Sequence, residues 1–428
     1  MTAEAPSYTG RMTAALPTRA AVIALVFLAA AFGFGRLGLP AAGYAAVAMA
    51  ATAVGVWVLL RHRPPDLALW LGVTAAVAMA APELLGMLRG QPIVLGQLAF
   101  AIVVGVSAWA ATLLPPSTVR WAALLALAAV TWAGLAAGVL AELGVYSYGL
   151  FIEPAQDRAL FGLDQLRGVM PHPNTMGIFA GLAVALSIRQ LITDRLDRVA
   201  DPRRFWAILL GITVPSALAL VWSQSRTSAV AAGCGFVVAL LPLQRRGWDW
   251  VPPAIAAVAG LMITVPVIIT ETLGYTFNGR GIPWGLAQSE FEQSPFVGRG
   301  PEFLSPDYLA PLNLPWAPTT AHNMMMQAVG ESGLVGLLTL AMLIFVMALI
   351  AVRAVRFDRQ WGLIIFVTFC LLGGQESSLS LPVRSALVLQ IALLAASAVL
   401  IRDGEAAEDA MSSEDQAASP AGAAERLG

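Results

Sequence analysis

The feature that most limits what this chain can fold into is a repetition. Roughly twelve times, about 20 mostly apolar residues run between short polar breaks. A stretch of that length spans the hydrocarbon core of a bilayer as a helix, the conformation that satisfies its own backbone N–H and C=O groups away from water. The stretches fall near residues 20–35, 41–60, 67–88, 93–114, 120–141, 173–191, 205–222, 227–243, 251–271, 323–350, 361–379 and 384–401. Hydrophobic residues make up 58% of the chain and charged residues 12%, with a mean hydropathy of +0.74, too apolar for a domain with a wetted surface. The sequence therefore predicts an all-α polytopic membrane protein of about 12 transmembrane helices, surrounded by membrane lipids. Nothing in it points to nucleic acid.

Orientation follows from arginine, which supplies all 25 basic residues. Short loops rich in arginine stay on the cytoplasmic side. Placing both termini inside gathers most arginines there and leaves Arg36, Arg89, Arg158, Arg167, Arg226, Arg280, Arg299 and Arg384 outside. The expected organisation is a cytoplasmic N-terminal segment at 1–19, a membrane domain at 20–401 and a disordered cytoplasmic tail at 403–428. Two extracytoplasmic loops, 142–171 and 272–321, exceed simple turns, and the prolines and glycines of the second predict short helices rather than one long one. Its aromatics suit interfacial anchoring, with a minority able to stack on sugars. Cys234 and Cys370 lie in apolar stretches and read as core-filling residues.

The outer arginines are the ones topology does not require, and other polar residues join them at the same level. Ionisable groups at membrane depth are expensive, so their concentration on one side marks a polar cavity. Arg226 sits in a tight turn, Ser223-Gln224-Ser225-Arg226-Thr227-Ser228, whose guanidinium fork and hydroxyls suit a phosphate. Taken alone, a snorkelling arginine at the headgroup level explains it equally well. Arg280 lies between Gly279 and Gly281, where backbone can approach a ligand, with Trp284 four residues on. Arg167 leads into Pro171-His172-Pro173-Asn174, where Asn174 is placed to cap the following span.

His322, one of three histidines, stands where the second long loop runs into an apolar helix, and a neutral imidazole there can take a proton from a hydroxyl. Asn323, Gln327 and Glu331 follow it at every fourth position as one polar stripe. For Glu331, helix packing is the simpler role. No outer loop has an Asp-x-Asp pair or a cluster at metal-ligand spacing, which predicts chemistry without a metal or other cofactor. No Walker A sequence or Gly-x-Ser-x-Gly elbow occurs either.

In order, these motifs are Arg-Gly leading to His-Pro-Asn, Ser-x-Ser-Arg, Gly-Arg with its downstream Trp, Gly298-x-Gly300, and Ala-His-Asn before Glu331-x-Gly-Leu-x-Gly336. Their combination, over residues 167–350, resembles the O-antigen ligase and polymerase superfamily. The resemblance implies a GT-C-like membrane glycosyltransferase at the outer face of the bacterial cytoplasmic membrane. Its donor would be a polyprenyl-diphosphate-linked oligosaccharide, its acceptor a glycan, lipid or wall hydroxyl, and it would need no metal. By position, His322 matches the essential histidine of that family, and Arg226, Arg280 and Arg167 match its arginines. Ser225, His172, Asn174, Trp284, Asn323 and Glu331 stand beside them as supporting residues. Polymerase and ligase are not separated by these motifs. A secondary transporter of an anionic solute is the alternative from another class, weakened by the apolar inner halves of the spans.

Overall fold

The computed structural model describes residues 41–62, 64–92, 95–145, 148–154, 163–170, 172–196, 201–273, 279–314, 317–358, 360–375 and 384–418. The segment 1–19, the first expected span and the last residues of the tail lie outside them, as do Glu376 and Pro171. The described chain is helical apart from one small hairpin. In order it forms α1 (Ala41–His62), α2 (Asp66–Leu88), α3 (Leu95–Ala111), α4 (Pro116–Glu142) and α5 (Tyr148–Phe151). Strands β1 (Ile152–Glu153) and β2 (Gln165–Leu166) then pair antiparallel. Next come α6 (Pro173–Leu196), α7 (Pro202–Ser223), α8 (Arg226–Leu240), α9 (Val251–Leu261), α10 (Val265–Leu273), α11 (Gly281–Gln293) and α12 (Pro306–Leu309). The chain closes with α13 (Met324–Asp358), α14 (Trp361–Gln375) and α15 (Arg384–Ala418).

Among the described residues, α2, α4, α6, α7, α13 and α15 are long and apolar enough to cross a membrane, and α9 with α10 makes a seventh if the bent pair is one span. Parts of α1 and all of α3, α8 and α14 are shorter apolar helices. The protein is thus polytopic. Trp70, Trp132, Trp206, Leu218 and Phe345 keep 51% to 63% of their surface exposed, a belt that only a lipid surround would cover. Inside, α13 packs on α2, α14 and α15, while α6 packs on α4, α7 and α8, and one continuous apolar core joins the two groups.

Three spans depart from straight helices, each for a local reason. In α7, Pro215 has no N–H to give the Gly211 carbonyl, so the chain widens into a π turn over Leu209–Thr213. Trp132 from α4 supplies the missing donor at 2.8 Å. The stretch 251–271, expected as one span, is instead two helices bent by 47°. Here Pro266 lacks the proton that would bond the Met262 carbonyl. In α13, Gly333 takes φ 56°, ψ −141°, which breaks the helix one turn past its polar stripe.

The end of the molecule expected inside is tied by ion pairs. Asp358, wholly buried, pairs with Arg120 and accepts a hydrogen bond from Ser397. Arg204 pairs with Asp194 at 2.7 Å, Arg189 donates to the Ala239 carbonyl at 3.0 Å, and Arg356 pairs with Glu408 at 3.0 Å. Arg353 also pairs with Glu405. The last two pairs correct the expectation of a disordered tail from residue 403. Up to Ala418 this segment continues α15 as helix, with its acidic face held along the arginines of α13.

Candidate functional site

The opposite end carries the second long loop, which folds over the start of α13 around a small core of its own. Val267, Trp284, Ala287, Phe303, Leu304, Leu309, Ala321 and Met326 form it. The short helices expected there are present as α11, α12 and two 3₁₀ turns. Gly298 and Gly300 take φ of +59° and +77°, and at both other chain passes too close for a side chain. A Cβ on Gly298 would sit 2.6 Å from the Ser332 nitrogen, and one on Gly300 3.0 Å from the Gly86 Cα. Arg89, an outer arginine left open by topology, donates to the Gly298 carbonyl, and Gln91 donates to the Arg299 carbonyl at 2.8 Å. Arg299 lies 5.3 Å from the centre of the Tyr308 ring. Burial, then the charge and hydrogen bond of Glu290, push the Tyr308 phenol up to about 12 against the lowering effect of Arg299.

The approach to His322 is pinned from several sides. Trp284, buried, donates its indole N–H to the Ala321 carbonyl at 2.6 Å. The Ala321 N–H goes to the Gln327 side-chain oxygen at 2.7 Å, and Gln327 donates in turn to Glu331. Asn323 caps α13, its Oδ1 accepting from the Met325 and Met326 N–H groups at 2.9 and 3.0 Å. Its amide reaches across to the Ile263 carbonyl at 2.8 Å, in the break between α9 and α10, and to the Gly374 carbonyl at 3.0 Å. His322 itself takes φ 50°, a left-handed conformation uncommon outside glycine, with its N–H on the Thr320 hydroxyl at 3.3 Å. The polar stripe of the sequence therefore shapes the backbone around the half-buried histidine. Trp284 belongs to this scaffold, its ring buried in the loop core.

Arg226 begins α8, after Gln224 turns the chain at φ 52° and Ser225 bonds Ser228 between hydroxyls at 2.7 Å. A Cβ on Gly177 of α6 would lie 2.4 Å from the Ser225 Cβ, so the serines of the turn pack directly on the α6 backbone. Arg226 and Thr227 line a cavity of about 370 Å³ together with Gln375, at the end of α14. The remaining wall is apolar: Val230 of α8, Pro266 and Ile269 of α10, and Leu371 of α14 contribute to it. Arg280, at the N-terminal boundary of α11, places its guanidinium on the Gln375 side-chain oxygen. The structure thus gathers three of the expected residues at the end of α14. Arg226 shares a cavity with Gln375, Arg280 bonds Gln375, and Asn323, next to His322, bonds the preceding carbonyl.

Arg167 stands beside this group. It follows β2, its N–H donating to the Phe151 carbonyl at 2.9 Å and its guanidinium to the Gly149 carbonyl at 3.4 Å. The hairpin meets the Arg226 turn through Gln224, which donates to the Leu163 carbonyl at 2.7 Å. The expected cap of α6 is reassigned. Asn174 lies inside the helix, and its own N–H donates to Nδ1 of the exposed His172 at 3.1 Å. Proline at 173 serves as the first helical residue, so the accepting side chain lies at His172, two residues before Asn174. Arg384 is described only in its backbone.

Gln375 was missed in the sequence. The signal available was Gly373-Gly374-Gln375, two glycines and an amide interrupting an otherwise apolar stretch. Gly374 lets α14 reach the broken span, since a Cβ there would fall 2.4 Å from the Met262 carbonyl oxygen. Among the described residues, no group of three or more His, Cys, Asp or Glu side chains is arranged to hold a metal ion.

An arginine at a helix N-terminus, a second arginine bonded to a glutamine of the cavity wall and an apolar lining can receive an anionic head joined to an apolar chain. No curated protein matches the chain. The O-antigen ligase family model matches residues 211–341, a segment running from the π turn of α7 through Arg226, Arg280 and His322 into α13. Over that segment, less than a third of the chain, the sequence is similar to the O-antigen ligase family.

Proposed function

We propose that the protein transfers glycan from a polyprenyl-diphosphate-linked donor to an acceptor hydroxyl at the outer face of the bacterial cytoplasmic membrane. The fold would be GT-C-like with twelve spans and both termini cytoplasmic. The reading is supported most by one observation: the cavity of Arg226 and Gln375, with Arg280 on the same glutamine, next to the backbone that carries His322.

In this mechanism the donor diphosphate lies at the polar end of the cavity, between Arg226 and Arg280, with the first isoprene units along Val230, Pro266 and Leu371. His322 takes the proton of the acceptor hydroxyl as its oxygen attacks the anomeric carbon. The bond from that carbon to the diphosphate oxygen breaks on the opposite face, so the anomeric centre inverts. The two guanidinium groups receive the charge that accumulates on the leaving diphosphate, which would make a metal unnecessary. Arg167, on the adjoining hairpin, is assigned to the same diphosphate.

The broken span is the feature that would favour a transporter, because such breaks expose backbone groups to solutes. Here the Ile263 carbonyl is already bonded by Asn323 and the bend is packed against Gly374. That filled break favours the transferase. The test is transfer from a synthetic polyprenyl-diphosphate oligosaccharide by purified protein. His322→Ala should lower turnover by about 10²-fold or more with donor binding kept. Arg226→Ala and Arg280→Ala should weaken donor binding as well as turnover. Near-normal turnover in His322→Ala would remove the base assignment. Products longer than one repeat would identify a polymerase, and a single transfer to a lipid or wall acceptor a ligase.

A further inference from the structure

We infer that Gln375 is the positioning residue of the diphosphate site: its carboxamide oxygen fixes the Arg280 guanidinium against the cavity lined by Arg226 without adding a negative charge there. The inference rests on the donor reading proposed above and assigns a residue outside the matched segment 211–341.

Gln375 is the last residue of α14, and the backbone just before it is fixed from two directions. Gly374 abuts the Met262 carbonyl oxygen so closely that no Cβ fits, and the Gly374 carbonyl accepts the Asn323 amide at 3.0 Å. The contacts of Gly374 fix where the Gln375 side chain leaves the backbone, and its partners fix where it ends. It lines the cavity with Arg226 and accepts from Arg280.

The chemistry of the acceptor then matters. The cavity lies between the N-terminus of α8, whose dipole favours an anion, and the C-terminus of α14, whose dipole disfavours one. A guanidinium held over the α14 terminus offsets the unfavourable end. A carboxylate at 375 would grip Arg280 more strongly, since charge-assisted hydrogen bonds are the stronger kind. It would also place a negative charge in the wall of a site for a diphosphate. A carboxamide orients the arginine and leaves the electrostatics of the wall to the arginines.

The two roles, holding the loop and tuning the charge, predict opposite orders for two variants. Gln375→Leu deletes the contact to Arg280, whereas Gln375→Glu restores it with added charge. The experiment measures binding of farnesyl diphosphate and of farnesol to the purified full-length protein in detergent, together with melting temperature. Farnesyl diphosphate should bind the unaltered protein tightest, the leucine variant less, and the glutamate variant weakest, by roughly tenfold or more. Farnesol affinity should stay within about twofold across the three, because an uncharged head senses none of these charges. Tighter diphosphate binding by the glutamate variant than by the leucine variant, or equal loss of farnesol, would overturn the inference and leave Gln375 a packing residue. If the unaltered protein bound farnesyl diphosphate no better than farnesol, the donor reading itself would fall.

Discussion

Trp284 gives its indole proton to the Ala321 carbonyl from inside the loop core, so the backbone leading into His322 is set by a ring that does not face the cavity. Trp284→Phe keeps most of the buried area and removes only the donor, leaving a buried carbonyl unbonded at a cost of about 1–3 kcal/mol. The expected outcome is a folded protein with a lower melting temperature and a several-fold lower turnover at unchanged donor affinity, checked by calorimetry and transfer kinetics. Tyr308 allows a second prediction. The folded protein holds its phenolic proton up to about 12, whereas an unstructured tyrosine releases it near 10.0. Stability from this group is therefore complete below pH 10 and is lost as pH rises toward 12. Proteolytic nicking of the loop should increase across that interval, and Tyr308→Phe should flatten the increase. At this scale the sequence disclosed residue types better than partners. Asn323 could be read as belonging with His322 from its spacing, whereas Trp284 was read with Arg280. That Asn323 bonds the broken span, or that His172 accepts at the start of α6, depends on chain that lies far away or on two residues of helix register.

The elements were legible as far as their apolarity was continuous. Hydropathy alone locates α2, α4, α6, α7, α13 and α15, because each presents a full span of apolar residues whatever its neighbours do. The breaks were less visible, since Pro215 and Pro266 sit in stretches whose two halves are both apolar. Whether a proline bends a helix depends on which neighbour takes the orphaned carbonyl, as Trp132 does for Gly211. The loop obeys the same logic. Its grip on α13 requires Gly298, where the Arg299 N–H reaches the Gly330 carbonyl at 2.8 Å and the Leu334 N–H reaches the Pro295 carbonyl at 2.7 Å. Gly298→Ala would combine a positive φ with a Cβ 2.6 Å from the Ser332 nitrogen. A strained backbone alone costs about 1–3 kcal/mol, so the loop should lift from α13. Limited proteolysis at residues 299–318 should accelerate while the membrane helices stay protected, and turnover should fall because the approach to His322 loosens.

On the scale of the whole molecule, the two ends are built from different interactions. The end with His322 relies on amides, backbone carbonyls and glycine contacts, with its arginines gathered near a cavity. The other end relies on charge pairs, and its centre is Asp358. There α13 supplies the carboxylate, α4 supplies Arg120, α15 supplies Ser397, and Trp361 of α14 lies 5.2 Å from the guanidinium. Four helices thus share one buried node at the end remote from the loop. Removing one partner of a buried pair leaves an uncompensated charge and costs about 3–5 kcal/mol, whereas replacing both by apolar residues is often neutral. Asp358→Asn should therefore lower the melting temperature sharply, and Arg120→Met with Asp358→Leu should recover most of the loss. Because α13 is interrupted at Gly333, between this node and the histidine, strain at the node should not reach the cavity. Turnover per folded molecule should stay close to that of the unaltered protein in both variants, measured at a temperature where each is folded. A parallel fall in turnover and stability would show instead that α13 transmits the state of its charged end to the site.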